Sequence, residues 1–399
     1  MSTKRKTGSP AGQSAAPVKG SKIRRTRKKT GKTTREEETE DAGPAGGATV
    51  ATVEENQIED GTAIETKPAD KAGLKPKGKS ETALEKFAAD ITAKKIEGLR
   101  AEFASLATYV PTDPAATVFS QHKDKNRYNN IPCLDRTRVV LKYQVPPETD
   151  YIHANWTMIP ESLVKLGNKY ICCQAPTEAT LNDWWRMIWQ EKPKHIIMLC
   201  RVVENGKPKC AQYWPLNVGD SKTYATVTVQ HVRACTPEKE KVFESSLLNV
   251  SVGAESFQLQ QHRWLDWPDF GVPNSGMGVL RLLRLVRDSK DCTSLIHCSA
   301  GVGRTGTVMA VEIVLRCLID GKDISALEIL KELRNSRAAS MQTEGQYLFL
   351  HRTLIEYIHA KKLAKNEAAE FSAAYVEYMK TEAAHRKQAL PPVPSSPGP

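Results

Sequence analysis

Large aliphatic and aromatic residues are almost missing from the first 80 positions, then recur without a long break to about residue 360. The change falls at Thr82. From there Leu84, Phe87, Ile91, Ile96, Leu99, Phe103 and Leu106 follow at near-helical spacing. With Thr82-x-x-Glu85 in the form of a capping box, that spacing predicts one or two amphipathic helices packed on a core. Alternating or continuous apolar runs then predict strands at 138–142, 150–155, 170–176, 195–200, 226–233 and 241–252. A Trp-rich helix (Trp184, Trp185, Met187, Trp189) interrupts them. Leu295-Ile296 reads as a short buried strand, followed by a helix over Val308 to Cys317. A polar, alanine-rich helix is expected from Glu367 to His385. The order predicts one α/β domain of about 275 residues, near the upper size for a single core. Its bounds are read as 82–362, after a tail over 1–80 and before a helical extension and Pro-rich tail over 363–399.

Composition changes the picture mainly at the ends. Residues 1–80 are too poor in large apolar side chains to build a core and are expected to be disordered. The formal net charge is +11, but the first 35 positions hold no acidic residue, so the tail carries much of it. The basic run Lys22–Lys29 reads as an import signal or a site for an acidic surface, or else as a solvated tail. Pro391-x-x-Pro394 has the form of an SH3 ligand, or of a plain disordered terminus. Nine cysteines (133, 172, 173, 200, 210, 235, 292, 298, 317) lack metal-ligand or disulfide-framework spacing, which suits a reducing compartment. No apolar run approaches the roughly 20 residues of a membrane span. The sequence therefore predicts a soluble cytoplasmic protein, with the nucleus as the alternative, and neither metal nor organic cofactor.

The chemistry concentrates in Ser294-Leu-Ile-His-Cys-Ser-Ala-Gly-Val-Gly-Arg-Thr-Gly306. Strand, glycine-rich loop and helix point backbone N–H groups and a positive helix end at an anion. Inside that cradle Cys298 and Arg304 stand six positions apart, and both the helix end and the guanidinium favour a thiolate. A bare Cys-x5-Arg arises by chance in many chains, and buried Cys is usually inert packing. The glycines, His297 and the flanking strand and helix set this one apart.

The stretch His297 to Gly306 resembles, in full, the signature loop of the classical, non-receptor-type protein tyrosine phosphatases. The resemblance covers the whole predicted domain and implies a twisted mixed β-sheet flanked by α-helices. It implies that Cys298 is the nucleophile, that Ser299, Ala300, Gly301, Val302 and Gly303 with Arg304 hold the phosphate, and that Thr305 stabilises the departing thiolate. His297 is expected to tune Cys298 by hydrogen bonding. Asp124 to Ile131 resembles the family's substrate-recognition loop, so Tyr128 would wall a pocket deep enough for phosphotyrosine. Asn130 stands where some members carry an Asp, and His153, Ala175 and Ala339 replace the usual Asn, Gly and Gly. Trp267-Pro-Asp-Phe-Gly-Val-Pro273, barred from helix or central strand by its prolines, matches the family's acid loop and gives Asp269 the general acid role. The Gln-Thr-x-x-Gln match implies that Gln342 positions the hydrolytic water with Gln346 in support. Glu204 would orient Arg304 and Lys209 would approach the acid loop, surface ion pairing being the alternative for both. Two other readings stay open: a dual-specificity or lipid phosphatase, and a catalytically silent phosphotyrosine-binding module.

Overall fold

The structure, a computed structural model, describes residues 77–268 and 271–389, with side chains to 382. The basic run Lys22–Lys29, the Pro391–Pro394 segment and Asp269 with Phe270 lie outside the described residues. The helices are α1 (Lys79–Ser105), α2 (Thr117–Gln121), α3 (Leu181–Glu191), α4 (Met277–Asp288), α5 (Gly303–Ile319), α6 (Ala326–Ser336), α7 (Glu344–Ala360) and α8 (Lys365–Ala389). The strands are β1 (Arg138–Val140), β2 (Tyr151–Trp156), β3 (Lys169–Cys173), β4 (His195–Met198), β5 (Val203–Glu204), β6 (Lys207–Pro208), β7 (Ser221–Tyr224), β8 (Val227–Ala234), β9 (Phe243–Val252), β10 (Glu255–Trp264) and β11 (Thr293–His297).

Nine strands form one mixed sheet in the order β1-β2-β3-β11-β4-β10-β9-β8-β7, while β5 and β6 pair as a separate hairpin. The four central strands β3, β11, β4 and β10 are parallel, and the strands outside them pair antiparallel. This explains the sequence pattern. A strand covered on both faces reads as a continuous apolar run, as Ile196-Ile197-Met198 does, whereas β8 alternates buried and half-exposed positions. Helix α5 runs behind the sheet with nearly all of its residues buried. The loop between β11 and α5 therefore sits at the carboxyl end of the parallel strands, the usual place for a ligand in such sheets.

The amphipathic stripe after Thr82 lies on α1 and the short turn that follows it, with Leu84, Phe87, Ile91, Ile96, Leu99 and Leu106 buried and Phe103 half-buried. Its start differs from the sequence reading. The helix begins at Lys79, and Glu81 closes the cap by accepting from the Gly78 N–H at 3.2 Å, so Thr82 is already inside the first turn. At Lys95 the backbone turns left-handed (φ 58°) and breaks α1 into two segments. Helices α4, α6 and α7 and strands β7 and β10 complete the domain. Glu204 lies in the short β5–β6 hairpin, and the chain from Lys209 to Pro215 is irregular.

Six histidines are buried among the described residues, and five of them lose basicity on folding. Burial lowers the basicity of His195, His297 and His351 to about 4, and of His153 and His262 to about 3. An unfolded chain takes up these protons near pH 6.5, while the folded chain does not. The stability they support is thus complete above that pH and is lost as pH falls toward 4, by about 1.4 kcal/mol per unit for each histidine. Among the described residues, buried Glu312, whose carboxyl is raised by burial, opposes the trend. Urea denaturation at pH 7.5 and pH 5.0 is expected to show a clearly lower midpoint at the acidic value. Equal midpoints would contradict it.

Candidate active site

The loop from Cys298 to Gly303 is shaped by what holds its carbonyls. The Cys298 carbonyl faces His297 Nδ1 at 3.2 Å, and the Ser299 carbonyl accepts from the Ala175 N–H at 3.0 Å. The Ala300 and Gly301 carbonyls accept from Arg337, Nη2 at 2.9 Å and Nε at 3.1 Å. The Val302 carbonyl accepts from the Met341 N–H at 2.8 Å. In a trans peptide the C=O and the following N–H point in opposite directions. Carbonyls turned outward therefore turn the N–H groups of Ala300, Gly301, Val302 and Gly303 inward, around Cys298. The Gly301 N–H is directed at Cys298 Sγ at 3.2 Å, and the thiol is almost fully buried.

Gly301 admits no side chain. Its φ is +70°, and a Cβ there would stand 1.9 Å from the Cys173 carbonyl oxygen of β3. Gly301→Ala is expected to displace the loop, with about 1–3 kcal/mol of backbone strain alone. A shift of 1 Å in the anion ring can cost about 100-fold in rate. Steady-state kcat/KM beside a melting curve checks it, and wild-type kcat/KM in the variant would refute the close-approach argument.

Arg304 leaves the first turn of α5 and is gripped from behind. Its Nη1 donates to Glu204 Oε1 at 2.6 Å and to the Leu199 carbonyl at 2.9 Å, and its Nη2 donates to Glu204 Oε2 at 2.9 Å. Both side chains are about 90% buried, so this is not a loose surface pair. Burial, the largest single influence, lowers the basicity of Arg304, but the Glu204 hydrogen bond and the negative charge gathered at Cys298 and Glu204 together outweigh it, and the guanidinium is held above its usual value. Sequence reasoning left Glu204 between this role and surface pairing, and the geometry gives the first.

His297 is fully buried and neutral, its basicity lowered to about 4 chiefly by burial. A carbonyl only accepts, so Nδ1 carries the proton and donates to Cys298 O, leaving Nε2 to accept from Tyr213 Oη at 2.9 Å. Tyr213 Oη in turn accepts from Gln261 Nε2 at 2.8 Å. Thr305 Oγ1 is buried with no hydrogen-bond partner among the described residues.

Tyr128 stands at the rim of the loop, its hydroxyl 2.9 Å from Ser299 Oγ, which donates to the Lys209 carbonyl at 3.1 Å. The segment is pinned by Arg127, whose Nη2 donates to the Pro176 carbonyl at 2.6 Å, and by a Lys125–Asp183 ion pair at 2.7 Å. Asn130 is exposed beside it, and Lys209 is half-buried on the far side of Ser299. Gln342 is exposed and Gln346 buried. A Cβ on Gly303 would meet Gln342 Oε1 at 2.7 Å and Gln346 Nε2 at 3.0 Å, so both amides lie against the loop. Gln346 Oε1 accepts from the Gln342 N–H at 2.8 Å. Next to Gln342 opens a cleft of about 500 Å³ lined by Tyr109, Arg334 and Ala339 among others. In the segment from Trp267 to Pro273, Trp267 is buried against Trp264 and Phe349 and donates Nε1–H to the Gly271 carbonyl at 3.2 Å.

Three supporting residues had escaped sequence reasoning. Arg337 is completely buried and bonds His153 Nδ1 at 3.0 Å and Asn155 Oδ1 at 2.7 Å as well as the loop. Tyr213 and Gln261 fix His297. The only hint was a charged or amide group placed in a segment otherwise destined for the core.

This thiol in an anion ring, backed by a clamped arginine, agrees with the comparisons to known proteins. A family model described as "Protein-tyrosine phosphatase" matches residues 122–356. Human receptor-type tyrosine-protein phosphatase eta is 32% identical over 301 residues, covering 73% of this chain and 22% of that protein. Human tyrosine-protein phosphatase non-receptor type 9 is 31% identical over 287 residues, 67% of this chain and 47% of its own length. Tyrosine-protein phosphatase 69D of Drosophila melanogaster is 35% identical over 240 residues, 58% and 16% respectively. The chain belongs to the protein-tyrosine phosphatase family. It spans less than half the length of these curated relatives.

Proposed function

We propose that the chain hydrolyses phosphotyrosine in proteins through a phosphocysteine intermediate, with residues 82–362 as the catalytic domain and 363–399 as an extension. The observation that carries the reading is Cys298 Sγ inside a ring of N–H groups beside an arginine locked by two bonds to Glu204. The Gly301 N–H and the positive end of α5 favour negative charge on sulfur. Loop amides and Arg304 bind the phosphate dianion. Cys298 Sγ attacks phosphorus, the bond to the tyrosine oxygen breaks, and Asp269 delivers a proton to that oxygen. Water held by Gln342 then attacks phosphorus, Asp269 takes its proton, and sulfur leaves as thiolate beside the Thr305 hydroxyl. Gln346 holds Gln342, and Lys209 faces the acid loop. No step calls for a metal or organic cofactor.

Tyr128 at the rim favours a substrate long enough to reach Sγ past it, and Asn130 stands where it meets the peptide flanking the phosphotyrosine. Turnover of matched phosphotyrosyl and phosphoseryl peptides tests the depth argument. The tyrosyl peptide is expected to lead by at least about 1,000-fold in kcat/KM, since a short substrate forfeits in-line contact and orientation. Comparable rates would favour the dual-specificity reading. We read the chain as a non-receptor form, and place its catalytic domain in the cytoplasm because a reactive thiolate needs a reducing compartment. Among the described residues no helix is long and apolar enough to cross a membrane. An import receptor or acidic surface at Lys22–Lys29 and an SH3 domain at Pro391–Pro394 remain proposals from sequence alone.

A further inference from the structure

Helix α8 packs against α1 and α7, with Ala368, Phe371 and Tyr375 buried in the main core, and two chains of contacts lead from it into the site. The first starts at Tyr378, whose hydroxyl donates to Glu344 Oε1 at 3.0 Å. The same oxygen accepts from Arg100 Nε of α1 at 2.7 Å, and that guanidinium lies 5.9 Å from the Tyr378 ring. Glu344 opens α7 two residues after Gln342, in the turn that carries Gln346. The second chain starts at Tyr375, which is 2% exposed and carries the Arg352 guanidinium 4.8 Å over its ring. Arg352 Nε donates to Glu356 Oε1 at 2.8 Å. Glu356 Oε2 accepts from Ser275 Oγ and from the Gly276 N–H, both at 2.8 Å. Ser275 and Gly276 form the joint between Pro273, the end of the acid loop, and α4. Gly276 is pressed on α7 so closely that a Cβ would meet Thr353 Oγ1 at 2.2 Å.

We propose that α8 is a positioning element for both halves of the reaction: Tyr378 steadies the glutamine segment, and Tyr375 steadies the downstream joint of the acid loop. The inference rests on the phosphatase reading above. Each link passes through a carboxylate whose bonds are charge-assisted; the Arg352–Glu356 pair is largely withdrawn from water, while the Arg100–Glu344 pair is more open to solvent and gains from the added Tyr378 hydroxyl. Without Tyr378, Glu344 keeps only Arg100, and the first turn of α7 gains freedom where Gln346 grips Gln342. Without the Tyr375 ring, Arg352 loses its platform and Glu356 its fixed partner. Each chain bears on a different chemical step. Joint and acid loop govern proton delivery to the leaving oxygen, and the glutamines govern attack by water.

That division makes the test specific. In the full chain, Tyr375→Leu should lower kcat/KM for a phosphotyrosine peptide about tenfold, well short of the roughly 100-fold that a 1 Å misplacement can cost. It should lower kcat/KM for p-nitrophenyl phosphate less than about twofold, because that leaving group departs without full protonation. Tyr375→Phe should match wild type, since the Tyr375 hydroxyl has no hydrogen-bond partner among the described residues. Tyr378→Phe should leave the pre-steady-state burst rate unchanged and lower steady-state kcat by about three- to tenfold, as loss of an interaction serving hydrolysis alone does. If Tyr375→Leu does not fold, Arg352→Met carries the same leaving-group expectation. Equal slowing of both substrates, or Tyr378→Phe at wild-type kcat, overturns the proposal. Failure of the phosphatase reading shows separately, as wild-type protein that turns over neither substrate.

Discussion

Cys298→Ser is expected to reduce kcat on a phosphotyrosine peptide by about 10⁵–10⁶-fold, the scale seen when a covalent nucleophile is removed. The reason lies in the surroundings. The Gly301 N–H and the end of α5 can stabilise a sulfur anion, but a serine hydroxyl at that place needs a base to become a nucleophile. The nearest histidine cannot serve. His297 spends its Nδ1 proton on the Cys298 carbonyl, and its Nε2 is occupied by Tyr213. The loop amides and Arg304 remain, so the variant should still bind the peptide with a Kd within about tenfold of the wild-type KM. Calorimetry on the variant checks the second half. Serine protein with appreciable turnover, or with no binding, would contradict this division between chemistry and anion binding.

Arg304→Lys should cost about 10³–10⁴-fold in kcat/KM, between the loss of one transition-state donor and the loss of a phosphate-binding arginine. The substitution keeps the charge, so the loss measures geometry. Arg304 spends two donors on Glu204 and one bond on Leu199 O, and that grip fixes the plane of the guanidinium that faces the phosphate. A lysine ammonium is a point charge on a flexible stem and cannot hold Glu204 and phosphate in one plane. It also leaves the buried Glu204 carboxylate with a poorer partner, so a lower melting temperature is expected alongside. A Lys variant within tenfold of wild type would show that charge alone suffices.

The loop was legible in the sequence because its demands are local. Glycine at 301 follows from a left-handed turn beside a neighbouring backbone, and Cys298 and Arg304 sit at the joint of a strand and a helix. The parallel centre of the sheet was legible in part, since Ile196-Ile197 and Leu295-Ile296 are continuous apolar runs. What holds the loop was not. Arg337 lies 36 residues beyond the carbonyl it bonds at Gly301, and His153 and Asn155 reach it from β2. Such partners are decided by tertiary packing, and one sequence carries no periodic mark of them. The pair His195 and His262, 3.0 Å apart on adjacent parallel strands, was hidden for the same reason, because β10 had not been foreseen. The cap of α1 was misjudged for a different one. Glu81 and Glu85 both follow small or hydroxyl residues at capping distance, and the chain used the earlier glutamate.

The central claim is that phosphate passes through the sulfur of Cys298. Wild-type protein mixed with a peptide carrying radiolabelled phosphotyrosine and quenched in acid within milliseconds tests it most directly. Label should appear on the protein in a burst approaching one phosphate per active site, map to the peptide containing Cys298, and be absent from Cys298→Ser. Release of labelled phosphate with no labelled protein at any quench time, or label on a residue other than Cys298, would contradict the account.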